Sequence, residues 1–157
     1  MTQLLQTQTQ TQTQTPSLYE QDILLWVEDT VAKLKAGDFQ NLDLENLIEG
    51  VESVGRSDRK ELLNRLIVLF EHLLKRLYVK SPDDYNGWER TIRTQRNCLG
   101  VLIEGAPSLQ IQWQEKCDRA WMVALKTVRK EYKNVTFPHQ WPYSLELESL
   151  LDRDFWD

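Results

Sequence analysis

Between Leu62 and Tyr78 apolar residues recur at every third or fourth position: Leu62, Leu63, Leu66, Ile67, Leu69, Phe70, Leu73, Leu74, Leu77 and Tyr78. That spacing is the 3.6-residue period of a helix, and the ten side chains cover about half of its circumference. A helix this apolar needs other helices around it. Ser57 is placed to cap it, with Asp58 in the first turn where the helix dipole favours a carboxylate. Ser81-Pro82 ends it, because the residue before a proline is pushed out of the helical region.

The same period organises the rest of the chain. Ile23, Trp26, Val27, Thr30, Val31 and Leu34 form one face of a helix beginning near Ser17, and Gly37 is its stop. Asp43 caps a second helix with Leu44, Leu47, Ile48 and Val51 on its apolar face. Leu42 and Leu47 fit a hydrophobic staple there, and Gly55 is the expected end. After the Leu62–Tyr78 helix, a fourth starts near Gly87, buries Trp88, Ile92, Leu99, Leu102 and Ile103, and stops at Gly105. Pro107 suits the first position of a fifth, which runs to about Lys133 with Leu109, Trp113, Cys117, Ala120, Trp121, Ala124 and Val128 in one stripe. The tail, Phe137-Pro138 followed by Trp141-Pro142-Tyr143, reads as an extended strap, with a short helix over residues 144–151. Trp141 and Trp156 in this tail are expected to be partly exposed. The expected fold is all-α: a bundle of five main helices, a short C-terminal helix and an aromatic, proline-containing strap.

Residues 1–16 read as a disordered leader, with six Gln, six Thr and no charge, too polar to offset the entropy of ordering. Residues 17–157 then form a single helical-bundle domain. No apolar run reaches the 18 or so residues that a membrane span requires. The two cysteines, Cys98 and Cys117, are too few for a disulfide framework and fit the cytoplasm. The net charge of −5 argues against a general binder of nucleic acid or anionic membrane. That charge is segregated: −7 over residues 17–55, +4 over 56–96, +2 over 97–133 and −4 over 134–157. Acidic ends are therefore expected to dock on a basic middle.

Three groups of residues could carry chemistry. Glu45, Glu49 and Glu52 fall in one narrow stripe, where like charges four apart repel and call for compensation. A bundle metal site of this kind uses Glu-x-x-His pairs, and none is present, so neighbouring basic side chains are the expected partners and no metal or cofactor is called for. Arg65 and His72 share a helix face with six residues between them, a spacing that resembles the Arg and His of the HEPN helical-bundle ribonucleases. There the His would serve as general acid–base and the Arg would clamp phosphate. Gln95 sits between Ile92 and Leu99 on an apolar face, flanked by Arg93 and Arg96. A buried amide must be hydrogen-bonded, here in an internal network or to a ligand. No phosphate loop, zinc spacing or Ser-centred elbow occurs.

Taken in order, several segments resemble the largely cyanobacterial family catalogued as domain of unknown function 29. They are Tyr19-Glu20-Gln21-Asp22 followed by Trp26; Leu42 through Glu49; Gly55-Arg56-Ser57; and His72-Leu73-Leu74-Lys75. The series continues with Trp88, Ile92 and Gln95-Arg96; Pro107-Ser108-Leu109; Phe137-Pro138 and Pro142-Tyr143; and Leu150 through Phe155. The resemblance implies an all-helical fold and brings no reaction, ligand or partner. The chain departs from the family at Gly50, where a second Glu is common, at Trp141, often a Cys, and at Ala106, usually a capping Ser.

The expected function is that of a small soluble helical protein that binds another protein and is not an enzyme. The alternative is a HEPN-like ribonuclease or toxin–antitoxin component using Arg65 and His72.

Overall fold

The computed structural model describes residues 15–156, and these are helix, turn and loop with no strand among them. The disordered leader expected over residues 1–16 lies outside the described residues as far as residue 14. The helices are α1 (Leu18–Gln21), α2 (Ile23–Ala36), α3 (Leu44–Tyr78), α4 (Pro82–Gly105), α5 (Trp113–Glu131) and α6 (Leu147–Asp152), with 3-10 turns at Phe39–Asn41 and Pro107–Gln112. The chain divides into two compact units, residues 1–52 and 53–157, with α3 running through the boundary.

In the N-terminal unit, local side chains set the helix ends. Ser17 and Glu20 form a reciprocal capping box that starts α1. The helix expected to run on from there breaks at Asp22, whose Oδ1 accepts from the backbone N–H groups of both Leu24 and Leu25 at 3.1 Å and caps α2 instead. Gly37 ends α2 at φ 70°, the left-handed conformation that glycine adopts without strain. Asp43 caps α3, accepting from the Asn46 backbone N–H at 3.3 Å and its side-chain amide at 2.7 Å. These bonds, the Asn46 amide first, hold the Asp43 carboxyl below its usual range.

The expected stop at Gly55 does not occur. Residues 44–78 are one helix, so the bundle has four long helices where five were expected. A glycine ends a helix by turning left-handed, and Gly55 has no positive φ. Its propensity cost of about 1 kcal/mol in a helix interior is small beside the burial of Leu62, Leu66, Leu69, Phe70, Leu73 and Leu74 further along. Pro82 opens α4 at its first turn, where a missing N–H costs nothing, about a turn earlier than the expected start at Gly87. Ala106, standing for a capping Ser, makes no side-chain cap, and the chain passes through the 3-10 turn before α5.

The C-terminal unit holds one continuous core. Leu62, Leu66, Leu69, Phe70, Leu73 and Leu74 of α3 meet Ile92, Leu99 and Ile103 of α4 and the Cys117, Ala120, Trp121, Ala124 and Val128 face of α5. The tail completes it: Phe137, Leu150 and Phe155 are buried, and Trp141 and Tyr143 pack against them. Trp141 lies edge-on to Phe70, Trp121, Tyr143 and Phe155, with ring centroids 5.2–5.7 Å apart. The strap thus packs on the core, with Phe137 and Phe155 buried in it, and Trp141 and Trp156 stay partly exposed, as expected.

An extended strap has carbonyls with no partner of their own, and buried carbonyls must find donors. Three side chains of the bundle supply them. Trp113 Nε1 donates to the Leu145 carbonyl at 2.7 Å and Trp121 Nε1 to the His139 carbonyl at 3.3 Å. Arg96 donates to the carbonyls of Leu150, at 3.0 Å, and Arg153. Asp154 pairs with the same guanidinium at 3.4 Å, the docking of acidic tail on basic middle that the charge segregation implies.

Candidate functional site

Two places in the described residues have the form of a site. The first lies in the C-terminal unit, between α3 and α4. Arg65 points across it: its Nε donates to Glu61 Oε1 at 2.8 Å, one turn back on α3, and its Nη1 to Gln95 Oε1 on α4 at 3.2 Å. Cavities of about 510 and 420 Å³ open on either side of this bridge and share Glu61 and Arg65 in their walls. The larger has Val101, Leu102 and Ala106 for its apolar lining, with Asn97 and Cys98 at its polar part. The smaller is polar, with Ser57, Lys60, Asn64 and Gln95.

Here the fold joins two residues that the sequence left separate, Arg65 and Gln95. It does not join Arg65 to His72: among the described residues' hydrogen bonds, His72 pairs through Nδ1 with the Val68 carbonyl at 2.8 Å, within its own helix. A ring nitrogen facing a carbonyl must carry the proton, so Nδ1–H is fixed in that bond. Arg76, near His72 in sequence, is bound to Glu89 at 2.6 Å and lies over the ring of Tyr85. Arg93 is exposed on α4. Arg96, expected to flank Gln95, is the more deeply buried of the two. Only 8% of it is exposed, and burial pulls its guanidinium below its ordinary value while Asp154 acts the other way. Its role is to fasten the tail. Glu45, Glu49 and Glu52 are exposed in the N-terminal unit, and Glu49 and Glu52 each have an interaction partner. No group of three His, Cys, Asp or Glu side chains among the described residues is arranged to hold a metal ion.

The second place is the N-terminal unit. Only Trp26 and Thr30 of α2 are buried there. The Trp26 ring packs edge-on against Tyr19 at 4.8 Å and lies against Gly50, whose added Cβ would sit 3.4 Å from the indole. That close approach gives Gly50 a packing reason for replacing the family's common Glu. Residues 37–43 join the two helices, and Trp26, ten residues before the end of α2, meets Gly50, six residues into α3, so the pair runs antiparallel here.

Most of the other apolar positions of these two helices that were expected to be core are exposed, Ile23, Val27, Val31 and Leu34 on α2 and Leu44, Ile48 and Val51 on α3, and so is Leu24. At about 100° per residue, Ile23, Val27, Val31 and Leu34 lie roughly 60–140° round from Trp26, and the α3 set roughly 100–160° round from Gly50, in the same sense. On an antiparallel pair these rotations bring both stripes to one side. Two helices have only one face for each other, and among the described residues the side chains of the second stay exposed. No signal in the sequence marks this, since a binding face and a core face share one period.

The described residues form an all-helical fold in which α2 and the start of α3 expose aliphatic side chains. The chain belongs to the family described as domain of unknown function DUF29, whose model matches residues 18–156. That description assigns no activity. Comparison with curated proteins and with solved structures found no match. No helix among the described residues is long and apolar enough to cross a membrane.

Proposed function

We propose that this DUF29 chain works in the cytoplasm by binding another protein through the apolar face of its N-terminal unit. The observation that carries the reading is the exposure of eight aliphatic side chains at core spacing, Leu24 among them at 72%. At their exposed fractions, and with about 150–200 Å² for a whole residue, they present roughly 600–800 Å² of surface, within the range that one partner contributes to a standard interface and at or above the largest patch of an ordinary monomer. The unpaired thiols of Cys98 and Cys117 fit a reducing compartment.

The test is capture by the full chain with chemical crosslinking, beside a variant carrying Val31→Gln, Ile48→Gln and Val51→Gln. All three side chains are exposed, so the variant keeps its core. A protein retained by the parent and lost by the variant is expected. Equal capture by both, or none by either, rejects the reading.

A further inference from the structure

We infer that the occupant of the α2–α3 face is a basic amphipathic helix of another protein, an inference that rests on the binding reading above. Three observations carry it. The face spans two helices and is built of aliphatic side chains, the chemistry that receives an amphipathic helix with anchors at i, i+3, i+4 and i+7. Its area is that of one side of a standard interface. Its surroundings are acidic: residues 17–55 carry nine carboxylates against Lys33 and Lys35, for a net −7.

Two of those carboxylates border the apolar stripes. Glu28 on α2 and Glu45 on α3 are exposed and lie about 40° and 60° round their helices from the edges of the stripes, Leu24 and Ile48, with Lys35 as the one cation on the α2 edge. They stand on the two outer flanks of the antiparallel pair. A helix seated between would have its apolar side on the aliphatic face and its own flanks within reach of both.

The charge also discriminates between occupants. A second copy offering the same face would set net −7 against net −7 in the contact, and like charge held in an interface is costly. A helix with Lys or Arg along its flanks gains from the same field and is steered toward it.

The experiment uses the full chain and three synthetic helices with the same Leu face, whose other positions are Lys, Gln or Glu. Binding is followed by fluorescence anisotropy of the labelled peptide at low and high salt. The Lys helix should bind at least about tenfold more tightly than the Gln helix, the Glu helix should not bind, and most of the advantage should vanish in 1 M salt, where the Debye length falls to about 3 Å. The Val31→Gln, Ile48→Gln, Val51→Gln variant should lose binding of both Lys and Gln helices. The Glu28→Gln, Glu45→Gln variant should lose preference for Lys and keep binding of Gln.

Equal binding of the Gln and Lys helices, or binding of the Lys helix that survives the apolar substitutions, overturns the inference. A dimer by sedimentation that the apolar variant dissociates also overturns it, because a second copy is then the occupant, and leaves the surface a binding face. Failure of every peptide alongside a face-dependent partner in the crosslinking experiment rejects the basic helix alone. Failure in both experiments rejects the binding reading as well.

Discussion

The Nε of Arg96, in the middle of α4, donates to the backbone carbonyl of Leu150 at 3.0 Å. A single buried guanidinium therefore fastens α6 and the end of the chain, with further bonds to Arg153 and Asp154. Replacing Arg96 with Ala leaves two tail carbonyls without a donor in a poorly hydrated place. The expected cost is about 2–4 kcal/mol in urea denaturation, since breaking a buried charged network is expensive. Asp154→Asn should cost under about 1 kcal/mol, because Asp154 is half exposed and water screens it. The order of the two effects is the check: a larger loss for Asp154→Asn would show that the ion pair, and not the carbonyl bonds, fastens the tail.

Burial pushes the Cys117 thiol up to about 12. Unfolded, the same thiol ionises near its ordinary value of about 8.5. Below that pH both states keep the proton and Cys117 has no influence. Above it the unfolded chain releases a proton that the folded chain retains, so stability falls as pH rises toward about 12, by at most about 1.4 kcal/mol per pH unit. Denaturation midpoints between pH 7.5 and 10 should decline more steeply for the parent than for Cys117→Ala. Identical slopes would contradict the burial argument. Cys98, partly exposed, should react with a thiol reagent in the native state, and Cys117 only on unfolding.

Gly55 and Gly100 lie inside long helices without left-handed backbone. A Cβ at Gly100 meets nothing within 4 Å, and one at Gly55 meets only the mobile end of Arg59, at 3.0 Å. Each glycine-to-alanine change should raise stability by about 0.5–1 kcal/mol through helix propensity and loss of unfolded-state freedom. A thermal melt showing Gly100→Ala less stable than the parent would mean that the glycine serves a contact absent from this structure.

Trp141 touches four other aromatic rings, from α3, α5 and the tail. Trp141→Ala should cost about 2–3 kcal/mol in urea denaturation, through lost edge-to-face contacts and a part-open cavity, less than a fully enclosed ring because Trp141 is partly exposed. It should also weaken the near-ultraviolet dichroism. Trp141→Cys should be destabilising too, because four rings pack against the indole.

The helices themselves were legible in the chain. The stripe over residues 62–78, the cap Asp43 and the stop Gly37 all act over a few residues, and their chemistry is complete within one turn, whereas Ser57, expected to cap the 62–78 helix, lies inside α3. Gly55 was not legible, because a glycine ends a helix only if the chain beyond can turn away. Here the buried leucines ahead favour continuing the same helix. Of the candidate site residues, Gln95 could be recognised as an amide needing a partner. That the partner is Arg65, thirty residues away, depends on how α3 and α4 cross. Arg96 and Gln95 are neighbours in sequence, and only packing assigns burial to the first and the cavity wall to the second.

By itself, then, the order of residues determined which segments coil and which side of each is apolar, because periodicity and capping are local properties. Tertiary structure alone decided which apolar sides find cover. Val31 and Phe70 obey one spacing rule, yet Phe70 is enclosed by α5 and the tail, while Val31 is exposed in a unit with few elements around it. Burial depends on how many elements surround a side chain, and no local pattern carries that count.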